Sequence, residues 1–176
     1  TLTSAGNISL SALTGEMTTA GALTLSAGTS IAMTGNMDAA GAVALTANSG
    51  ITLNSSISTS SGILNINANS SVLTLGSGIT LSSAGALTLA ASNTSSAGNL
   101  TLTSTGSTIS VNNALVSAGA VTMTANSGLT LSNSTLTGAG NISLQGGSAL
   151  TLASGMNITS SGGNITLGAT SITANN

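Results

Sequence analysis

Glu16 and Asp38 are the only ionisable side chains in a chain of 176 residues. Each stands beside a methionine, Met17 and Met37, about one period of the sequence apart. Two carboxylates held together can act as general acid and base, or can bind Ca²⁺ with help from backbone carbonyls. Both are expected to point outward from one sheet, at neighbouring positions of adjacent rungs. No cation and no third acid accompanies them, so they read as solvated residues and no enzymatic activity is expected. A zinc site is excluded for want of His and Cys, and no cofactor is implied. The other residues with spacing of interest are threonines. Thr101/Thr103 and Thr122/Thr124 form outward T-x-T pairs, and a flat hydroxyl array of this kind can order water and bind ice. The same column is expected to hold Ser9/Ser11, Ala44/Thr46, Asn65/Asn67 and Ser143/Gln145, which leaves the array short and uneven. Strand propensity accounts for the threonines otherwise.

Composition removes whole classes of function. There is no Lys, Arg, His, Cys, Pro, Phe, Tyr or Trp. A chain without cations cannot neutralise phosphates, so nucleic acid is not an expected partner. No apolar run reaches the ~18 residues of a membrane span, and no basic amphipathic face is present, so membrane insertion is not expected either. Aromatic platforms for stacking a sugar are missing. Forty per cent of residues are nevertheless apolar and mean hydropathy is +0.51, which is not the profile of a disordered chain. The core has to be built from Leu, Ile, Val, Met and Ala.

These residues recur in a pattern. AGALTLAA at Ala84–Ala91 has relatives along the whole chain, among them AGNISLSA from Ala5, AGAVALTA from Ala40 and AGAVTMTA from Ala118. The motif glycines are Gly6, Gly21, Gly41, Gly62, Gly85, Gly98, Gly119, Gly140 and Gly163, with gaps of 15, 20, 21, 23, 13, 21, 21 and 23 residues. Alternating apolar and polar residues mark short half-buried strands, and a fixed longer period marks a repeat architecture. Within one period, Val43 and Leu45 point inward, ANSG (Ala47–Gly50) turns, Ile51 and Leu53 form a second strand, and Ile57 opens a third. Three short strands and three turns in about 21 residues make one rung of a parallel β-helix. The expected fold is therefore all-β: a right-handed parallel β-helix of about nine coils, each of roughly 20 residues and each opening near one motif glycine. Residues 1–176 form a single β-solenoid domain on this reading. The gaps of 15 and 13 are read as two irregular coils.

The expected first-strand column contains Leu23, Leu25, Val43, Leu45, Leu87, Leu89, Leu100, Leu102, Val121, Met123, Ile142 and Leu144, with Ile8/Leu10, Leu64/Ile66 and Ile165/Leu167 completing it. Asn48, Asn69 and Asn126 are expected to share one corner, where asparagine tolerates unusual backbone angles and bonds its neighbours. Joined tail to head, the chain reads A-N-N-T-L-T-S-A-G, which parallels V-N-N-A-L-V-S-A-G at Val111–Gly119. Solenoids normally carry polar caps and neither end has one. The coil is therefore expected to continue past both termini, in a longer polypeptide or by head-to-tail stacking of copies into a filament.

The stretch AGALTLSAGTSIAMTGNMDAAGAVALTANSG resembles the repeats of filamentous-haemagglutinin-type adhesins, the exoproteins of bacterial two-partner secretion. The resemblance extends over essentially all nine copies. It implies a right-handed β-helical shaft that is secreted, found outside the cell or at its surface, and presented to a host or neighbouring cell. That family's N-terminal secretion domain is not in this sequence and charge is almost absent, so adhesion is assigned to no residue here. The resulting expectation is a structural shaft of an extracellular fibre whose partner is a further copy of itself. The rivals are a surface-binding module for ice or carbohydrate, and a passive spacer that presents a tip elsewhere.

Overall fold

The computed structural model describes residues 1–11, 16–132 and 135–175. Among the described residues every regular element is a strand, and every strand pairing is parallel. Sheet A stacks nine strands: Leu2–Ser4, Leu23–Ala27, Val43–Ala47, Leu64–Asn67, Leu87–Ala90, Ile109–Val111, Gly128–Leu131, Ala149–Leu152 and Ser171–Ala174. Sheet B stacks eight: Ile8–Ser11, Ser30–Thr34, Gly50–Leu53, Val72–Leu75, Asn93–Ser96, Ala114–Ser117, Thr135–Gly138 and Asn157–Ser160. Sheet C stacks eight: Met17–Thr19, Met37–Ala39, Ile57–Thr59, Ile79–Ser83, Leu100–Ser104, Val121–Ala125, Ile142–Gly146 and Ile165–Gly168. The chain visits A, B and C in strict rotation, so each strand's hydrogen-bonded neighbours lie one full turn earlier and later. The molecule is a parallel β-helix of about eight turns.

The rungs differ little in length. Leu23 lies beside Val43, Val43 beside Leu64, and Leu64 beside Leu87, which are steps of 20, 21 and 23 residues. Period-2 alternation puts one aliphatic set inside at every step. Leu45, Leu64, Leu87, Leu102, Val121 and Leu144 are all fully buried in the resulting core.

The expectation of nine coils is corrected to about eight, and the reason lies in the two short gaps. Gly6 stands at the corner from A to B. Gly21, Gly41, Gly62 and Gly85 stand at the corner from C to A. Gly98, Gly119, Gly140 and Gly163 stand at the corner from B to C. The 15- and 13-residue gaps are thus two-thirds of a turn, not shortened coils. At each of them the motif moves to a different face while the rung length stays constant. The expected single column is accordingly three. Leu23/Leu25, Val43/Leu45, Leu64/Ile66 and Leu87/Leu89 line sheet A; Leu100/Leu102, Val121/Met123, Ile142/Leu144 and Ile165/Leu167 line sheet C; Ile8/Leu10 line sheet B. The column of Leu87/Leu89 continues instead through Ile109/Val111 and Leu129/Leu131.

Candidate interaction surfaces

Glu16 and Asp38 do lie on the outer side of sheet C. Met17 pairs with Met37 and Thr18 with Asp38, so Glu16 precedes the methionine on the lower rung and Asp38 follows it on the upper one. The two carboxylates are therefore diagonal neighbours. They border a shallow depression of about 100 Å³ shared with Asn36, Ser56, Ser58 and Thr80. Both side chains are exposed, and no group of three or more His, Cys, Asp or Glu that could hold a metal ion occurs among the described residues. An open hollow of about 490 Å³ lies near the other end, between Thr124, Asn126, Gln145 and Thr170.

The threonine face differs from the expected one. Ala44/Thr46 and Asn65/Asn67 belong to sheet A and Ser9/Ser11 to sheet B, so they are not neighbours of the T-x-T pairs. The true neighbours on sheet C are Thr80/Ser82 below Thr101/Thr103 and Ser143/Gln145 above Thr122/Thr124. The outer side of sheet C is hence an ordered hydroxyl strip. Ladder spacing places its rows about 4.8 Å apart and its two columns about 7 Å apart.

The corners hold most of the side-chain hydrogen bonding. A Ser or Thr two residues ahead of a motif glycine turns inward and bonds the corner carbonyls. Ser83 Oγ donates to Gly85 O (2.5 Å), Ser96 Oγ to Gly98 O (2.9 Å) and Thr19 Oγ1 to Gly21 O (2.9 Å). Others reach back a full turn. Ser104 Oγ donates to Gly85 O (2.7 Å), Ser117 Oγ to Gly98 O (2.7 Å) and Ser160 Oγ to Gly140 O (2.8 Å). These hydroxyls occupy carbonyls that a tight turn leaves unpaired. Where one rung presses on the next, proximity requires the glycine. A Cβ on Gly119 would lie 2.6 Å from Asn99 N, and one on Gly163 would lie 2.6 Å from Asn141 N.

Asparagines form the second stitch. Asn69 Nδ2 donates to Asn48 Oδ1 (2.7 Å) at the corner from A to B, and Asn69 has φ 51°. Asn126 is not in that ladder. It follows Val121–Ala125 at the corner from C to A, where its N–H donates to Ser104 O (2.9 Å). Sequence reading missed a different set, the asparagine that follows a turn glycine. Asn99 Oδ1 accepts from Ala120 N (2.9 Å), Asn141 Oδ1 from Asn164 N (2.9 Å) and Asn36 Oδ1 from Ser56 N (3.0 Å), each one rung on. The recurring Gly-Asn pair was the available signal.

The two end rungs expose core-type residues. Leu2 is 46% exposed at one end, and Ile165, Leu167 and Ile172 are 44%, 37% and 50% exposed at the other. Their counterparts one rung inward, Leu25, Ile142, Leu144 and Leu150, are buried. No family model matches the chain, and no curated protein or solved structure does.

Proposed function

We propose that this chain is the structural shaft of an extracellular bacterial fibre or adhesin of the filamentous-haemagglutinin type, with the coil running on from copy to copy. The observation that carries this reading is the aliphatic core, which runs the length of the rod and emerges at both end rungs. A ladder of parallel strands along one axis has the spacing and durability of cross-β material. The absence of Lys and Arg denies trypsin-like proteases a cleavage site. Uncovered strand edges favour the addition of further strands, so a second copy is the natural occupant. Electron microscopy of the purified chain tests this. Filaments of uniform width with a strand-ladder reflection near 4.8 Å are expected, and monodisperse short rods at all concentrations would sink it.

A second reading takes the hydroxyl strip of sheet C as a water-ordering, ice-binding surface. It is favoured by the register of Thr80, Thr101 and Thr122, whose side-chain hydroxyls make no hydrogen bond among the described residues. Measurable thermal hysteresis would favour this module over the shaft.

A further inference from the structure

Resting on the shaft reading, the geometry points to one specific joint: we propose that a second copy seats on the C-terminal end rung turned by one third of a revolution. Its sheet A then extends sheet B, its sheet B extends sheet C, and its sheet C extends sheet A.

The order in which the chain visits the three sheets dictates this. The last three strands, Asn157–Ser160 in B, Ile165–Gly168 in C and Ser171–Ala174 in A, climb the axis in that order. The lowest uncovered step is therefore the one above Asn157–Ser160. The first three strands, Leu2–Ser4 in A, Ile8–Ser11 in B and Met17–Thr19 in C, climb in the same way. The lowest strand of an arriving copy is Leu2–Ser4, and it meets the lowest step only after a third of a turn. Unrotated stacking sets that lowest strand on the highest step. Two of the three seams would then open to about twice the ~4.8 Å ladder spacing and lose their hydrogen bonds.

The residues at the seam agree with the rotated fit. Ala139–Leu144, AGNISL, pairs with Gly162–Leu167, GGNITL: Ile142 lies beside Ile165, Leu144 beside Leu167, and Asn141 Oδ1 accepts from Asn164 N. Ala5–Leu10 is AGNISL again. Rotation places it on the other side of the same strand, with Ile8 over Ile165 and Leu10 over Leu167. The Asn164 carboxamide oxygen, which has no partner among the described residues, then accepts from the incoming Asn7 N–H and extends the Asn141 ladder. Leu2 falls over Ile158, and Met17 over the half-exposed Ile172. The unrotated arrangement offers a shorter match, Asn7-Ile8-Ser9 over Asn157-Ile158-Thr159 in sheet B, against the six-residue match of the rotated fit.

Disulfide trapping tests the joint, because the chain has no cysteine of its own. Thr3 and Thr159 are exposed outward positions that become ladder neighbours only in the rotated fit. Thr3 and Asn175 do so only in the unrotated one, where Leu2 follows Ala174 in the column of Leu25 and Leu152. Adjacent strands lie within the Cα separation that a disulfide spans. Under mild oxidation the Thr3→Cys/Thr159→Cys chain is expected to give a reducible ladder of covalent multimers, while Thr3→Cys/Asn175→Cys stays monomeric. The reverse pattern, or no ladder from either, overturns the joint. Wild-type filaments without a Thr3→Cys/Thr159→Cys ladder leave the shaft standing and remove the rotation. Cross-linked dimers from a preparation free of filaments uphold the joint and remove the filament.

Discussion

The two halves of the rod solve one packing problem with different faces. In the N-terminal half, sheets A and B each contribute two aliphatic side chains per rung: Val43 and Leu45 from A, Ile51 and Leu53 from B. Sheet C is narrow there, with three-residue strands such as Met37–Ala39 and Ile57–Thr59. In the C-terminal half sheet C widens to five residues, as in Leu100–Ser104 and Val121–Ala125. Sheet B gives way in return. Thr94 stands in line between Leu73 and Leu115, and Ser96 and Ser117 follow Leu75 in the next inward column. Burial does not falter across the change: Leu81, Leu89, Leu102 and Leu115 are all fully enclosed. The tube requires a constant apolar cross-section per rung and leaves open which side supplies it. A repeat motif can therefore move from corner to corner without interrupting the core.

The strongest way to break this equivalence is to empty both halves in the same way. Leu45→Ala in sheet A and Leu102→Ala in sheet C remove the same atoms from fully buried sites. Each is expected to cost about 2–5 kcal/mol, read as a shift in denaturation midpoint. Equal losses support a tube indifferent to face. A loss confined to Leu45→Ala would mean that the widened sheet C is only loosely packed. A smaller effect is expected at the corners. Gly119→Ala presses a methyl group into the Asn99 backbone and is expected to cost about 1–3 kcal/mol through overpacking. Gly21 opens its own corner column, and a Cβ added there would meet nothing within 4 Å, so Gly21→Ala is expected to be tolerated. Equal sensitivity at the two sites would show that backbone freedom, not rung-to-rung proximity, selects glycine.

Strand identity, parallel pairing and the inward aliphatic residues were legible because alternation is local and every copy carries it. The step between faces was legible only in part. Gaps of 15 and 13 residues stand out at once, but a motif that names its own strand does not name its sheet. Sheet identity depends on how many strands intervene, and the strand Asn93–Ser96 carries no aliphatic alternation because Thr94 takes an inward place usually given to leucine. The same confusion placed Asn126 with Asn48 and Asn69, since ANSG occurs at Ala47–Gly50 and again at Ala125–Gly128. Identical turn chemistry serves two different corners. The hydroxyls ahead of the motif glycines escaped notice for another reason. Serine and threonine are so abundant that the few facing inward carry no compositional mark.

Those inward hydroxyls give the finest test of the comparison. Ser117 is buried at the corner from B to C, where its Oγ donates to Gly98 O on the rung below and accepts from Gly119 N (3.2 Å). The corresponding inward column of the N-terminal half is filled by Leu53 and Leu75, whose side chains make no such bonds. Ser117→Ala removes the hydroxyl and leaves the two backbone groups facing each other without a link. One net hydrogen bond amounts to about 0.5–1.5 kcal/mol, and that is the expected loss by chemical denaturation. Ser117→Thr, which keeps the hydroxyl, is expected to retain most of the stability. If alanine costs nothing, the serine column is merely small, and the narrowing of sheet B follows from volume alone. A measurable loss shows instead that the C-terminal half replaced apolar contact on that face with a ladder of corner hydrogen bonds.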